Sequence, residues 1–170
     1  MPRLRSAALA AAMLACGATA AQAEDQVARG AYLVRIMGCN DCHTVGVFLG
    51  KPDFAHALGG SDVGFMVPGL GVRWGPNLTP DDATGLGKWS DADIIKAIRE
   101  GVTPDGRKLI PSMPYVGYAA LTDADAGAIV AFLRSLTPIR HAVPAAVGPN
   151  EKPTAPYLAV MMPQGVMMPQ

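Results

Sequence analysis

Apolar residues recur at helical spacing in three stretches of this chain. From Glu24 to Met37, Val27, Ala31 and Val34, with Tyr32, supply one face of a helix, and Gly38 ends the run. From Ser90 to Gly101, Ile94, Ile95 and Ile98 form a stripe. Ser90 suits an N-cap, Asp91 and Asp93 suit the positive end of a helix, and Gly101 suits its C-terminal cap. From Thr122 onward, Ile129, Phe132, Leu133 and Leu136 line an inner face until Pro138 stops the pattern. One or two further helical turns are expected within Tyr115 to Ala120.

Residues 44 to about 89 show no helical period. Glycine and proline together make 34 residues of the chain, and many fall here. Val63 to Val67 and Leu70 to Trp74 flank Pro68-Gly69, which predicts a small hairpin near 63–74. An irregular stretch this long is unusual in a compact domain unless it performs a function. After Arg140 the pattern dissolves, and Met-Met-Pro-Gln occurs twice, at Met161–Gln164 and Met167–Gln170. Such a tail is either an extended arm laid over the domain, a disordered end, or a thioether-rich Cu(I) ligand.

The first 23 residues have the form of a secretory signal. Arg3 and Arg5 are its positive region, and Ala7 to Ala15 its apolar segment, too short to span a bilayer. Ala21-Gln22-Ala23 is an A-x-A cleavage site, so the mature chain is expected to begin at Glu24. Cys16 falls in the removed segment, although a lipoprotein cysteine is the alternative. Cleavage would leave twelve basic and fourteen acidic residues, and no basic run suggests nucleic acid. The expected organisation is a signal over 1–23, one domain over 24–138 and a Pro/Met-rich tail over 139–170.

The chemistry concentrates in Cys39-Asn40-Asp41-Cys42-His43. C-x-x-C-H is the attachment signature of a c-type haem. Two thiols at this spacing can form thioethers with the two vinyl groups of one porphyrin, and the adjacent histidine can then bind iron. Other uses of the same residues fit less well. A thioredoxin-like pair should sit near a βαβ pattern, and none is visible. A zinc site needs about four ligands, and the mature chain has no second C-x-x-C or H-x-x-x-H. A disulfide between Cys39 and Cys42 would close a very small loop.

A low-spin haem needs a second axial ligand. Met113, between Pro111 and Pro114, sits some seventy residues after His43 in a loop that prolines stiffen. Met66, His56, His141 and an open site are the competitors.

The motifs C-N-D-C-H-T at Cys39–Thr44, G-P-N-L-T-P-D at Gly75–Asp81, T-G-L-G-K-W-S-D at Thr84–Asp91 and P-S-M-P-Y at Pro111–Tyr115 together resemble a class I cytochrome c. More narrowly, the chain is similar to the cytochrome domains that accompany periplasmic alcohol and aldehyde dehydrogenases. Those subunits carry several C-x-x-C-H motifs, whereas this sequence has one, so one covalent haem c is expected and quinone chemistry is not carried over. The resemblance implies an all-α class I fold, with first and last helices crossing where Gly30 and Tyr32 meet Phe132, and with loops wrapping the haem. It also implies that the Pro76 carbonyl accepts from His43, that Leu78 packs on the haem face, and that Trp89 donates to a propionate unless it is simply core. Arg73 and Arg107 are further propionate partners on this view, or else surface arginines.

The expected function is one-electron transfer in the periplasm by a non-enzymatic carrier. A dehydrogenase would be the donor, and a terminal oxidase or another cytochrome the acceptor. The alternatives are a peroxidase-like haem enzyme with an open site, using His56 as distal acid–base group, a ligand sensor, or the dedicated subunit of one dehydrogenase complex.

Overall fold

The computed structural model describes residues 25–161 and 163. The expected signal segment, Glu24 and the second Met-Met-Pro-Gln repeat lie outside the described residues. The first helix, α1, covers residues 25–36. Its inner face differs from the expected one by a small rotation. Gly30, Leu33 and Val34 are buried, Val27 and Ala31 are half-buried, and Tyr32 is 54% exposed. The reason lies on the last helix, α5 (Asp123–Ser135). The two backbones touch at Gly30, where a Cβ would fall 1.9 Å from the Ala128 carbonyl oxygen and 2.7 Å from Phe132 Cβ. Only glycine permits that approach. Tyr32 is turned outward instead, with the Arg29 guanidinium 5.5 Å from its ring centre. Arg29 also donates to Asp125 at 2.9 Å, a second link between α1 and α5.

Gly38, at φ +69°, breaks the chain between α1 and the short helix α2 (Cys39–His43). After the irregular stretch comes α3 (Asp91–Glu100). Ser90 and Asp93 form a reciprocal capping box at its start, and Gly101 closes its end. Next come α4 (Tyr115–Tyr118) and α5, which Thr122 caps by accepting from the Asp125 N–H. The helix α3 packs on both α4 and α5. The shared core includes Leu33, Val34, Leu58, Leu86, Ile94, Ile129 and Leu133, with Phe132 and Leu136 partly buried at its margin.

The all-α expectation is corrected by a small sheet. The predicted hairpin is present as β1 (Gly64–Val67) antiparallel to β2 (Gly71–Trp74). A third strand, β3 (Tyr157–Leu158), runs parallel to β1 from the C-terminal arm, giving the order β2-β1-β3. The arm also covers the other edge, where Val147 and Val72 exchange two backbone hydrogen bonds of 2.9 and 3.0 Å. The Trp74 indole N–H donates to the Pro156 carbonyl at 3.1 Å, and Arg73 donates to the Val147 carbonyl at 2.7 Å. A two-stranded hairpin alone is marginal in water. The arm satisfies backbone groups on both of its sides.

The contact at Gly30 yields a prediction. Gly30→Ala should lower the denaturation midpoint without changing the slope, with a loss of about 1–3 kcal/mol as for other overpacked interiors. Equilibrium guanidinium unfolding of the holoprotein checks it. An unchanged midpoint would mean that α1 and α5 can separate at no cost.

Candidate functional site

The five residues of α2 carry two thiols and one imidazole on a single turn and a half of helix. Both cysteines are free and half-buried. Burial pushes the Cys39 thiol up to about 11 and raises Cys42 in the same direction. These are therefore protonated thiols at neutral pH, unlike the depressed thiols of reactive redox pairs. Among the described residues there is no group of three or more His, Cys, Asp or Glu able to hold a metal ion. Two thiols and one imidazole at this spacing can form thioethers to a porphyrin and bind its iron.

His43 is buried, at 6% exposure. Its Nδ1–H donates to the Pro76 carbonyl at 2.7 Å. A carbonyl can only accept, so this bond fixes the tautomer and leaves the lone pair on Nε2. Burial lowers the imidazole's proton affinity, and the bond to Pro76 opposes that only in part. The ring is thus a neutral base with one defined free nitrogen, which makes it a suitable iron ligand. Among the described residues Nε2 makes no hydrogen bond.

The Gly75-Pro76 segment can reach His43 because Gly75 has no side chain. A Cβ there would fall 1.7 Å from the Cys42 carbonyl oxygen and 3.3 Å from His43 Nδ1. Neighbouring backbone completes the cradle. Gly60 N–H donates to His43 O, Ser61 N–H to Gly75 O, and Leu78 N–H to Leu58 O, all at 2.8–2.9 Å. Thr44, fully buried, donates to Asn40 at 3.1 Å and accepts from Leu58 N–H at 3.0 Å.

The remainder of the G-P-N-L-T-P-D motif is structural. The buried Asn77 amide donates to Ile139 O at 2.6 Å and to Thr84 Oγ1 at 3.1 Å. Its carbonyl accepts from Thr79 through both N–H and Oγ1–H. Leu78, between them, is half-buried and packs on the core. Sequence reasoning missed Asn77 and Thr79. An Asn flanked by Pro and Leu in an irregular stretch was the available signal.

The other expected site residues separate into groups. Met113 is half-buried in a turn whose neighbours Pro111, Ser112 and Pro114 are exposed. Its N–H donates to Ile110 O at 3.0 Å, and its carbonyl accepts from Tyr115 N–H at 2.8 Å. Met66 lies on β1 and lines an apolar trough of about 430 Å³ together with Pro111 and Ser112. His56 is exposed and paired with Asp53 at 2.7 Å. His141 donates to Gly59 O at 2.7 Å. Both histidines line one small cavity of about 250 Å³. The turn that carries His56 is tied through Gly59 and Gly60 to the backbone of His43, not to the Met113 loop.

Trp89 packs partly buried against the core, and its carbonyl accepts from Arg134. Arg107 is exposed. Among the described residues, neither the Trp89 indole N–H nor the Arg107 guanidinium makes a hydrogen bond. Arg73, by contrast, donates to the carbonyls of Val72 and Val147, so its guanidinium pins the C-terminal arm. One unexpected residue joins the site. The Tyr118 hydroxyl donates to the Met37 carbonyl at 2.9 Å. Burial raises this phenol's pKa, and the charges of Cys39 and Cys42 act in the same direction.

Residues 27–137 match the cytochrome c family model. The chain is 40% identical over 117 residues to a nicotinate dehydrogenase subunit of Pseudomonas putida, covering 69% of this chain and 9% of that protein. It is 39% identical over 129 residues to the gluconate 2-dehydrogenase cytochrome c subunit of Pantoea cypripedii, covering 72% and 27%. It is 36% identical over 118 residues to the cytochrome c subunit of the quinone alcohol dehydrogenase of Gluconobacter oxydans, covering 68% and 23%. The chain thus spans between 9% and 27% of the length of these relatives. Two free thiols on one turn, a neutral buried imidazole and the glycine cradle behind it fit a covalently held haem c, and the chain belongs to the cytochrome c family.

Proposed function

We propose that this chain is a periplasmic single-haem cytochrome that carries one electron at a time from a dehydrogenase to an oxidase or another cytochrome. The observation that carries the reading is the His43–Pro76 bond of 2.7 Å, directly after two free thiols. Cys39 and Cys42 would hold the haem through thioethers, and His43 Nε2 and Met113 would bind its iron. When bound, the haem supplies a metal that alternates between two oxidation states. The protein's own task is to keep both ligands in place in either state. His43 is suited to that by its fixed tautomer and burial. Pro111 and Pro114 restrict the loop of Met113. The Trp89 indole and the Arg107 guanidinium remain available as propionate donors.

The relatives named above are described as subunits of dehydrogenases, which supports a dehydrogenase as donor. Among the described residues no helix is long and apolar enough to cross a membrane. The expected signal segment supports an exported carrier. A separate catalytic role for His56 has little support, because its turn is joined to the backbone behind His43.

Covalent attachment predicts that colour survives acid–acetone extraction and that the protein's mass increases by one haem. Loss of all colour with an unmodified mass would end this reading. Met113 ligation predicts a weak far-red charge-transfer band in the ferric protein. Met113→Ala should abolish the band and lower the midpoint potential, since thioether ligation raises it. If the band survives there and vanishes in Met66→Ala, the ligand is Met66.

Electron carriage predicts that carbon monoxide binds the ferrous protein slowly near neutral pH, that peroxide turnover is negligible, and that exchange with a small redox dye is fast. His56→Ala should change none of these. Rapid carbon monoxide binding with peroxide turnover that His56→Ala removes would establish a haem enzyme instead.

A further inference from the structure

We propose that Tyr118 is a positioning residue. It clamps the loop bearing Met113 to the segment that enters the attachment helix, and so sets how readily the Met113 thioether leaves the iron. This rests on the Met113 ligation proposed above.

Three observations carry it. The first is the bond itself, from the Tyr118 hydroxyl to the Met37 carbonyl at 2.9 Å, across 81 positions of sequence. Met37 lies two residues before Cys39, in the bend between α1 and α2. Its carbonyl follows directly on the end of α1, where carbonyls lack helical partners and need a donor from elsewhere. Tyr118 supplies that donor. Among the described residues it makes the only hydrogen bond between the stretch 109–121 and the stretch 37–43.

The second observation is that Tyr118 and Met113 are joined by a short run of local backbone hydrogen bonds. Tyr115 N–H donates to Met113 O at 2.8 Å, and the N–H groups of Gly117 and Tyr118 donate to Pro114 O at 3.0 and 3.2 Å. Pro114 itself has a restricted φ. A pull on the Tyr118 hydroxyl therefore reaches the Met113 backbone through one tight turn and the single helical turn of α4.

The third concerns what else holds this piece. The Tyr115 ring lies against Gly101, where a Cβ would come within 2.6 Å of it. Leu109 N–H donates to Gly101 O at 2.8 Å, and Arg99 donates to Leu121 O. All three contacts attach the piece to α3 and its C-terminal cap. None reaches the attachment helix. Among the described residues, the only hydrogen bond across the gap between the two proposed ligand segments is the one that Tyr118 makes.

The test compares holo wild type, Tyr118→Phe and Met113→Ala. Tyr118→Phe keeps the ring and removes one hydrogen bond. An ordinary hydrogen bond of this kind is worth about a fivefold change in an equilibrium. Carbon monoxide association, limited by departure of the thioether, should rise by about that factor in Tyr118→Phe. Amide hydrogen exchange of residues 115–118 should accelerate with it, and the far-red band should fade at a lower temperature than in wild type. A carbon monoxide rate within about twofold of wild type overturns the proposal, even if amide exchange accelerates, because Tyr118 would then only stabilise α4. Absence of the far-red band in wild type itself overturns Met113 ligation, and the clamp with it. A band that is present in wild type, lost in Met113→Ala and unaltered in Tyr118→Phe leaves ligation standing and removes the clamp.

Discussion

The bond from His43 Nδ1–H to the Pro76 carbonyl is the constraint on which the site is built. It decides three things at once: the tautomer, the direction of Nε2 and the position of the Gly75–Leu78 segment relative to α2. The approach that permits it leaves no room at Gly75 for even a methyl group. The segment 58–61 then closes behind both partners through backbone hydrogen bonds to His43, Gly75 and Leu78. Leu58 has φ +63°, an uncommon conformation for a branched residue, and it is almost fully buried. A left-handed Leu in the middle of this cradle is the sort of local strain that a well-determined surrounding can hold.

The C-terminal arm extends the same logic outward. Ile139 accepts from Asn77 and donates to Thr79 Oγ1, so the chain leaving α5 is fastened to the motif that holds His43. His141 then donates to Gly59 O, within the 58–61 cradle's own turn. Further on, residues 147 and 157–158 bracket the hairpin on both edges. The irregular stretch after α2 is therefore not self-supporting. Most of its backbone hydrogen bonds are local, but the outer edges of its hairpin, and the side chains of Arg73 and Trp74, find their partners in the arm some seventy to ninety positions later.

That dependence explains which parts were legible in the sequence. The helices α3 and α5 were readable because their caps and stripes are local: Ser90 with Asp93, and Thr122 with Ile129 and Leu133. The attachment motif was readable because its chemistry fits within five consecutive residues. The hairpin could be placed from its turn residues, Pro68 and Gly69. The third strand could not, since Tyr157 and Leu158 show no alternation and pair only because β1 offers an open edge. Tyr32 was assigned to the buried face from its apolar character and from the family resemblance. The close approach at Gly30 rotates α1 and buries Leu33 in its place. Arg73 was read as a candidate propionate partner, but its guanidinium meets the arm, a contact that no local pattern encodes. Tyr118 was invisible as a site residue because its partner is a main-chain carbonyl 81 positions away.

The two proposed ligand segments are held very unequally, and this bears on how such a carrier works. Around His43 the backbone is stitched on several sides, and the side chain is buried. Around Met113 the flanking residues are exposed, and the turn is joined chiefly to α3. A neutral imidazole with a fixed tautomer is also a stronger ligand than a thioether. Both the chemistry and the packing therefore place any loosening on the methionine side. For electron transfer this asymmetry is tolerable, because neither ligand has to leave for the iron to change its charge. For ligand-binding chemistry it would be the obvious route to an open site. On the proposed ligation, electron carriage without ligand binding requires that the Met113 loop stay closed. That loop is held by its own tight turn, by the contacts of Leu109, Tyr115 and Leu121 with the end of α3, and by the bond from Tyr118 to Met37.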